Sequence, residues 1–203
     1  MRIQSSHTQN AGSASTGACI AIGAFDGVHL GHQALIETML RRARSRGVAA
    51  LVQTFDPLPK VVFGRERPIG TLAERKARLY ALGVDRVHVA HFTPDYAARS
   101  PEAFLDDLEA LDVSEIFVGE DFRFGRGRAG DLELLATRFK VTTADCVTCS
   151  DGERISSTRI RHLRASGRAG AARALLGLLP GAIALARDTA SAPISPLTPE
   201  TLS

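Results

Sequence analysis

Residues 18–33, Ala18-Cys19-Ile20-Ala21-Ile22-Gly23-Ala24-Phe25-Asp26-Gly27-Val28-His29-Leu30-Gly31-His32-Gln33, decide how the whole chain is read. A short apolar run with strand character, Ala18–Gly23, ends on a glycine. A helical pattern then runs from Gly31 to Arg46, with Leu35, Ile36, Met39 and Ala43 on one side and Arg41, Arg42, Arg44 and Arg46 mostly on another. Gly47 stands where a C-cap glycine belongs. A strand feeding a helix through a glycine-rich turn is the opening of an α/β fold.

The alternation continues outward from this stretch. Val48–Phe55 is a second strand, stopped by Asp56-Pro57, and Leu72–Leu82 is a helix ending at Gly83. Arg86–His91 reads as a third strand. Pro101–Leu111 is a helix with Ser100 as its N-cap and Pro101 in its first turn. Glu115–Gly119 is a fourth strand, Asp131–Arg138 a helix and Lys140–Val147 a fifth strand; Ser156–Ala165 and Arg168–Leu176 close the pattern as helices. Five strands alternating with helices predict a five-stranded, mostly parallel sheet with helices on both faces.

Composition narrows the function classes. With 203 residues the chain is long enough for one domain with a real core. Net charge is +3, too mild to argue for nucleic acid by bulk electrostatics, and aromatics are 5% with no Trp, too few for a base-stacking platform. No apolar run is long enough to span a bilayer, and residues 1–17 hold no signal-like core, so the sequence reads as cytoplasmic. The three cysteines fit a reducing compartment. Residues 1–17 read as a flexible polar arm, 18–180 as the folded domain and 181–203 as a flexible Pro-rich tail.

In such sheets ligands sit outside the carboxyl ends of the strands, at a topological switch point. Two segments there carry phosphate chemistry. In Gly23–His32 the glycines, Gly23 and Gly31 among them, permit close backbone approach. The helix start offers free N–H groups, and His29 and His32, three apart, fall on one side of its first turn. In Arg154–Arg161, Ser157 and Thr158 open a helix between guanidinium groups. Their hydroxyls can bond phosphate oxygens while Arg154 and Arg161 neutralise them in forked geometry. Together the two segments read as the halves of a triphosphate clamp. No Walker A sequence occurs, which disfavours a P-loop enzyme.

These motifs carry a family resemblance. Gly23–His32 resembles the (H/T)xGH signature of the nucleotidylyltransferase superfamily. Its extension through Gln33 is similar to the FMN adenylyltransferase module of bacterial riboflavin kinase/FAD synthetases. Thr54–Pro59 (TFDPLP), Val118–Asp131 (VGEDFRFGRGRAGD) and Asp151–Arg161 (DGERISSTRIR) match further blocks in the same order, over about residues 18–177. The chain differs at Leu58, where the family usually has His, and at Ala24, where it often has Asn.

The resemblance implies a Rossmann-like nucleotidylyltransferase fold and adenylyl transfer from ATP to FMN, giving FAD and pyrophosphate. It implies His29, His32, Ser157, Thr158 and Arg161 as catalytic residues, and Gly23, Phe25, Asp26, Gly31 and Arg154 at ATP. Pro57, Pro59, Phe63, Asp121 and Phe124 fall at the flavin, and Mg²⁺ on the triphosphate with no side chain assigned to it. The family's kinase barrel would follow Gly177, and only 26 residues do. The expectation is therefore that this chain does not phosphorylate riboflavin and that a separate riboflavin kinase supplies FMN. The alternatives are transfer to another phosphorylated acceptor, or a non-catalytic paralogue that binds nucleotide or flavin.

Other signals are set aside. Gly125–Gly130 is a formal GxGxxG, but Glu120–Phe124 separates it from its strand, too far for a tight dinucleotide turn, and Asp145 is the only fair acidic partner for a dehydrogenase reading. Cys146-x-x-Cys149 lacks a second ligand pair and reads as incidental. The arginines of 41–46 read as a solvated face, and His88 and His91 as structural.

Overall fold

The computed structural model describes residues 17–177 apart from Arg65, 145–146 and 150–151. The expected arm (1–17) falls outside them but for Gly17, as do the tail, the domain's last three residues, Asp145, Cys146 and Asp151. In chain order the elements are β1 (Ala18–Ile22), α1 (Leu30–Arg46), β2 (Ala50–Asp56), α2 (Pro59–Val62), α3 (Leu72–Ala81), β3 (Arg86–His91), α4 (Pro94–Ala97), α5 (Pro101–Ala110), β4 (Val113–Gly119), α6 (Leu132–Ala136), β5 (Lys140–Ala144), α7 (Ser157–Ala165) and α8 (Ala169–Leu176). The sheet order is β3-β2-β1-β4-β5 and all four pairings are parallel.

The order reverses direction at β1, so the switch point lies between the ends of β1 and β4. Central β1 is buried throughout, whereas edge β3 is buried only at Ala90, as expected of a sheet covered on both faces. Ile20, Ile22, Leu51 and Phe55 pack on one side with Phe104, Leu105 and Leu108 of α5. Cys19, Ala21 and Val52 pack on the other with Ile36, Met39 and Leu40 of α1 and Leu79 of α3. A smaller cluster joins α7 and α8 through Ile160, Leu163, Ala172 and Leu175. Gln33 Nε2 ties that pair to α1 by donating to Val28 O and Leu176 O.

The structure trims several expected boundaries. Of the expected strand Lys140–Val147, the described part of β5 is Lys140–Ala144, whose last pairing with β4 is Gly119–Ala144; Val147 is not strand. Helix α6 stops at Ala136 rather than Arg138, and the turn that follows carries Phe139 into the core. Helices α2 and α4, each four residues behind a proline, were not expected at all. The Gly125–Gly130 segment is a small loop closed by an antiparallel bridge between Phe124 and Gly130. A Cβ on Gly130 would lie 2.6 Å from the Phe124 ring, so the glycine serves this closure and not a dinucleotide.

Candidate active site

Two turns at the carboxyl end of the sheet form the site. The first follows β1. Here Phe25 (φ 47°), Gly27 (φ 76°) and Val28 (φ 45°) all take left-handed backbone. Only the glycine does so without steric cost, and a β-branched residue there is strained. Such strain persists only where the surroundings over-determine it. Asp26 supplies that constraint. It is 3% exposed, its Oδ1 accepts from the backbone N–H of Ile69 (2.9 Å), and its Oδ2 is paired with Arg161 Nη2. Its backbone oxygen accepts from Ser157 Oγ (3.2 Å). One aspartate thus joins the β1 turn, the approach to α3 and the start of α7.

His29 is the N-cap of α1, its Nδ1 accepting from the backbone N–H of His32 (3.3 Å). The two imidazoles stack with centroids 3.6 Å apart and planes 16° apart, and the Phe25 ring meets the His32 edge at 5.2 Å. Burial is the main cause that pushes the His29 imidazole down to about 4; a backbone hydrogen bond opposes this and the positive Arg154 adds to it. Burial and the neighbouring His29 hold His32 well below the ordinary value. Both rings are therefore neutral at pH 7. His32 Nδ1 is buried without a hydrogen-bond partner, an orphan that calls for a ligand or water.

The second turn leads into α7. An antiparallel bridge between Thr148 and Arg154 makes a short hairpin that presents Arg154, which lies 3.5 Å from Asp121 Oδ2. Ser156 caps α7 by accepting from Arg159 N (3.2 Å), which leaves Ser157 and Thr158 at the helix start.

Both turns open onto one cleft of about 560 Å³. Gly23, Phe25, His29, Gly31 and His32 line one wall, and Arg154, Ser156, Ser157 and Thr158 another. Gly119, Glu120, Asp121 and Phe122 come from the end of β4, Lys60 from α2, and Ile22, Leu35, Ala144 and Val147 form an apolar part. The amino ends of α1 and α7 thus face the same space, which suits a multiply charged anion.

Most of the residues expected from sequence meet here, and some do not. Asp26 and Arg161 sit behind the lining, engaged with each other. Arg161 also pairs with Glu66 and donates through Nε to Arg67 O (2.7 Å). Phe124 is 7% exposed and packs on Phe104 (4.9 Å), so the ring facing the cleft is Phe122. Pro57, Pro59 and Phe63 lie on the connection that carries Lys60; Phe63 is half exposed and meets Phe92 edge-on at 6.1 Å. Leu58, in place of the family's histidine, is buried and precedes α2. Glu120 could have been found from its place directly after β4. Lys60 and Glu66 gave no sequence signal. Among the described residues no group of three or more His, Cys, Asp or Glu could hold a metal ion, and no helix is long and apolar enough to cross a membrane.

Comparison with known proteins agrees with this fold. The family model for FAD synthetase matches residues 12–159. The chain is 46% identical over 171 residues to a Geobacillus thermodenitrificans (strain NG80-2) protein provisionally named bifunctional riboflavin kinase/FMN adenylyltransferase, covering 84% of this chain and 96% of that one. It is 38% and 36% identical to the bifunctional riboflavin kinase/FMN adenylyltransferases of Listeria monocytogenes (strain EGD-e) and Escherichia coli (strain K12). There it covers 78% and 79% of itself and spans about half of theirs, 53% and 54%. A crystal structure described as a macrolide-efflux protein from Streptococcus pneumoniae superposes with a TM-score of 0.72 at 30% identity, covering 79% of this chain and 56% of that one. With its five parallel strands, its paired helix starts and a family match over most of its length, the chain belongs to the FAD synthetase family.

Proposed function

We propose that the protein transfers the adenylyl group of ATP to FMN. A phosphate oxygen of FMN attacks the α-phosphorus of ATP, the bond to the bridging oxygen breaks, and pyrophosphate departs with the electron pair. FAD and pyrophosphate account for all atoms, and no covalent enzyme intermediate is needed. The observation that carries the reading is the convergence of two helix starts, with His29 and His32 on one and Ser157 and Thr158 on the other, on a single cleft at the switch point.

Catalysis is then positioning and charge stabilisation. Neutral His29 and His32 contribute N–H donors at the α-phosphoryl oxygens rather than full charges. Ser157, Thr158 and Arg154 face the leaving phosphates. Arg161 reaches them only by giving up part of its present engagement. Asp26 holds the turn that carries the histidines. The flavin ring lies along Pro57, Pro59 and Phe63, with Asp121 opposite and Phe122 presented by Phe124 behind it (5.7 Å). Mg²⁺ fits the donor chemistry, because Glu120 in the lining provides a carboxylate of the kind it takes when phosphates and water complete its shell. When bound it would draw charge from the triphosphate. Riboflavin phosphorylation must supply the FMN, and the reaction belongs in the cytoplasm with its ATP.

The test is turnover with ATP, Mg²⁺ and a panel of phosphorylated acceptors, following FAD and pyrophosphate. FAD formation with FMN is the expected outcome. Pyrophosphate release with phosphopantetheine or a phosphosugar but not with FMN would move the acceptor. Binding without turnover would leave a non-catalytic paralogue.

A further inference from the structure

One carboxylate outside the lining holds three of the groups that an anion in this cleft would use. Glu66 Oε1 accepts from Lys60 Nζ (3.0 Å) and from Thr158 Oγ1 (3.4 Å), and Glu66 Oε2 is paired with Arg161 Nη1. Lys60 and Thr158 both line the cleft, one on α2 and one at the start of α7, and meet at Glu66 Oε1. Ammonium, hydroxyl and guanidinium converging on one planar anion is the constellation that binds a phosphate group.

The segment is fixed so as to place the carboxylate there. Glu66 N donates to Lys60 O (3.2 Å), and Arg161 Nε and Arg164 Nη1 donate to Arg67 O and Ile69 O, both at 2.7 Å. The Glu66 side chain is 20% exposed, as is that of Arg161, whereas that of Lys60 is 55% exposed. The Lys60 pair therefore has a shallow well and an incoming anion can compete for its ammonium, whereas Glu66 Oε2 and Arg161 Nη1 are buried and open only once that outer contact is lost.

We propose that Glu66 is an internal competitor for the polyphosphate, occupying the Lys60–Thr158–Arg161 set when the cleft holds no nucleotide and returning to it to expel pyrophosphate. This rests on the reading that the cleft binds a triphosphate. It makes Glu66 a determinant of affinity and of product release rather than a catalytic residue. A ligand without terminal phosphates has no reason to compete with it, so the effect is specific to pyrophosphate and ATP and absent for AMP.

The experiment is calorimetric binding of pyrophosphate, ATP and AMP, with Mg²⁺, to the 203-residue chain and its Glu66→Gln variant. Glutamine keeps the shape and removes the charge. Pyrophosphate and ATP are expected to bind about 2- to 5-fold tighter to the variant, the upper part of the range of exposed ion-pair energies, with AMP unchanged. Glu153→Gln, which alters a carboxylate paired with Arg159 away from this set, should shift none of them. Unchanged or weaker pyrophosphate binding in Glu66→Gln overturns the proposal, and so does equal tightening for AMP. A wild-type measurement runs beside it: pyrophosphate should move the side-chain carboxyl resonance of Glu66 in glutamate-labelled protein, and an unmoved resonance at saturation overturns the proposal too. These are binding readouts. A protein that binds pyrophosphate in this manner but makes no FAD would refute the adenylyl-transfer reading and leave Glu66 standing.

Discussion

The two ends of the sheet each hold a buried carboxylate among guanidinium groups, and they differ in what lies beyond them. At the amino end, Glu115 of β4 is 2% exposed and takes Arg42 Nε (2.8 Å), Lys140 Nζ (3.2 Å), Thr142 Oγ1 (3.1 Å) and, more distantly, Arg46 Nη1 (3.6 Å). Burial alone would raise its carboxyl, but the hydrogen bonds from Arg42, Lys140 and Thr142 outweigh that and hold it below the usual value. At the carboxyl end, Asp26 is equally buried, yet its partner Arg161 is shared with Glu66, which is shared in turn with Lys60 and Thr158 at the cleft. Glu115 closes a saturated knot inside the sheet, just past a register shift between β1 and β4. Asp26 anchors a strained turn whose far side is open. Buried charge therefore does not separate the two ends of the sheet; connection to an open cleft at the strand ends does.

Removing each carboxylate's neighbourhood should separate stability from activity. Glu115→Ala should lower the unfolding free energy by about 3 kcal/mol, because three cations and a hydroxyl around one buried position lose their common acceptor. Turnover and ATP affinity should stay within about twofold. Denaturant unfolding and steady-state kinetics on the same preparation measure both. A large loss of turnover in the folded variant would erase the contrast between the two ends.

The histidines should show the reverse. His29→Ala or His32→Ala should reduce FAD formation about a hundredfold, the scale of one lost donor to developing charge, and at least tenfold. Thermal melts should show an intact fold, with His29→Ala losing about 1 kcal/mol more because the α1 cap goes with it. Near wild-type rates in both variants would reduce the pair to surface chemistry.

How much of this was legible follows from range. The βα alternation, the α1 and α5 caps and the two phosphate-type turns are written in residues no more than about ten apart, and local pattern reading reaches that far. The Asp26–Arg161 pair spans 135 positions and Thr158–Glu66 spans 92, so nothing local announces them. The reading of Arg161 as a phosphate ligand rested on its own segment, and its engagement with Asp26, Glu66 and Arg67 O lay beyond that reach. Phe122 and Phe124 lie two apart in an irregular loop, and only the Phe124–Gly130 bridge decides which ring turns inward. Val28 at positive φ was invisible for the same reason: its backbone is imposed by Asp26's distant partners.

Acid sharpens the contrast by the smallest margin, and its sign follows from the two carboxylate and imidazole environments. An unfolded histidine titrates near 6.5, while folded His29 is pushed down to about 4. Between these values the unfolded chain binds the extra proton, so the stability that neutral His29 contributes is complete above about pH 6.5 and is lost as pH falls through about 4. Protonation at Nδ1 would also remove the acceptor that caps α1. From pH 7 to pH 5 the loss amounts to about 2 kcal/mol. Glu115 cannot contribute in that window, because its folded value lies below 4.5 and its stabilisation is lost only as pH falls through that lower range. His29→Asn isolates the effect, since asparagine caps a helix without titrating. The variant should match wild type at pH 7 and lose about 2 kcal/mol less on going to pH 5, with His32 left in place in both. Denaturant unfolding at the two pH values measures it. Equal losses would mean that His29 takes up its proton in the folded site without cost, and the picture of a dry, neutral imidazole pair at the carboxyl end would have to be given up.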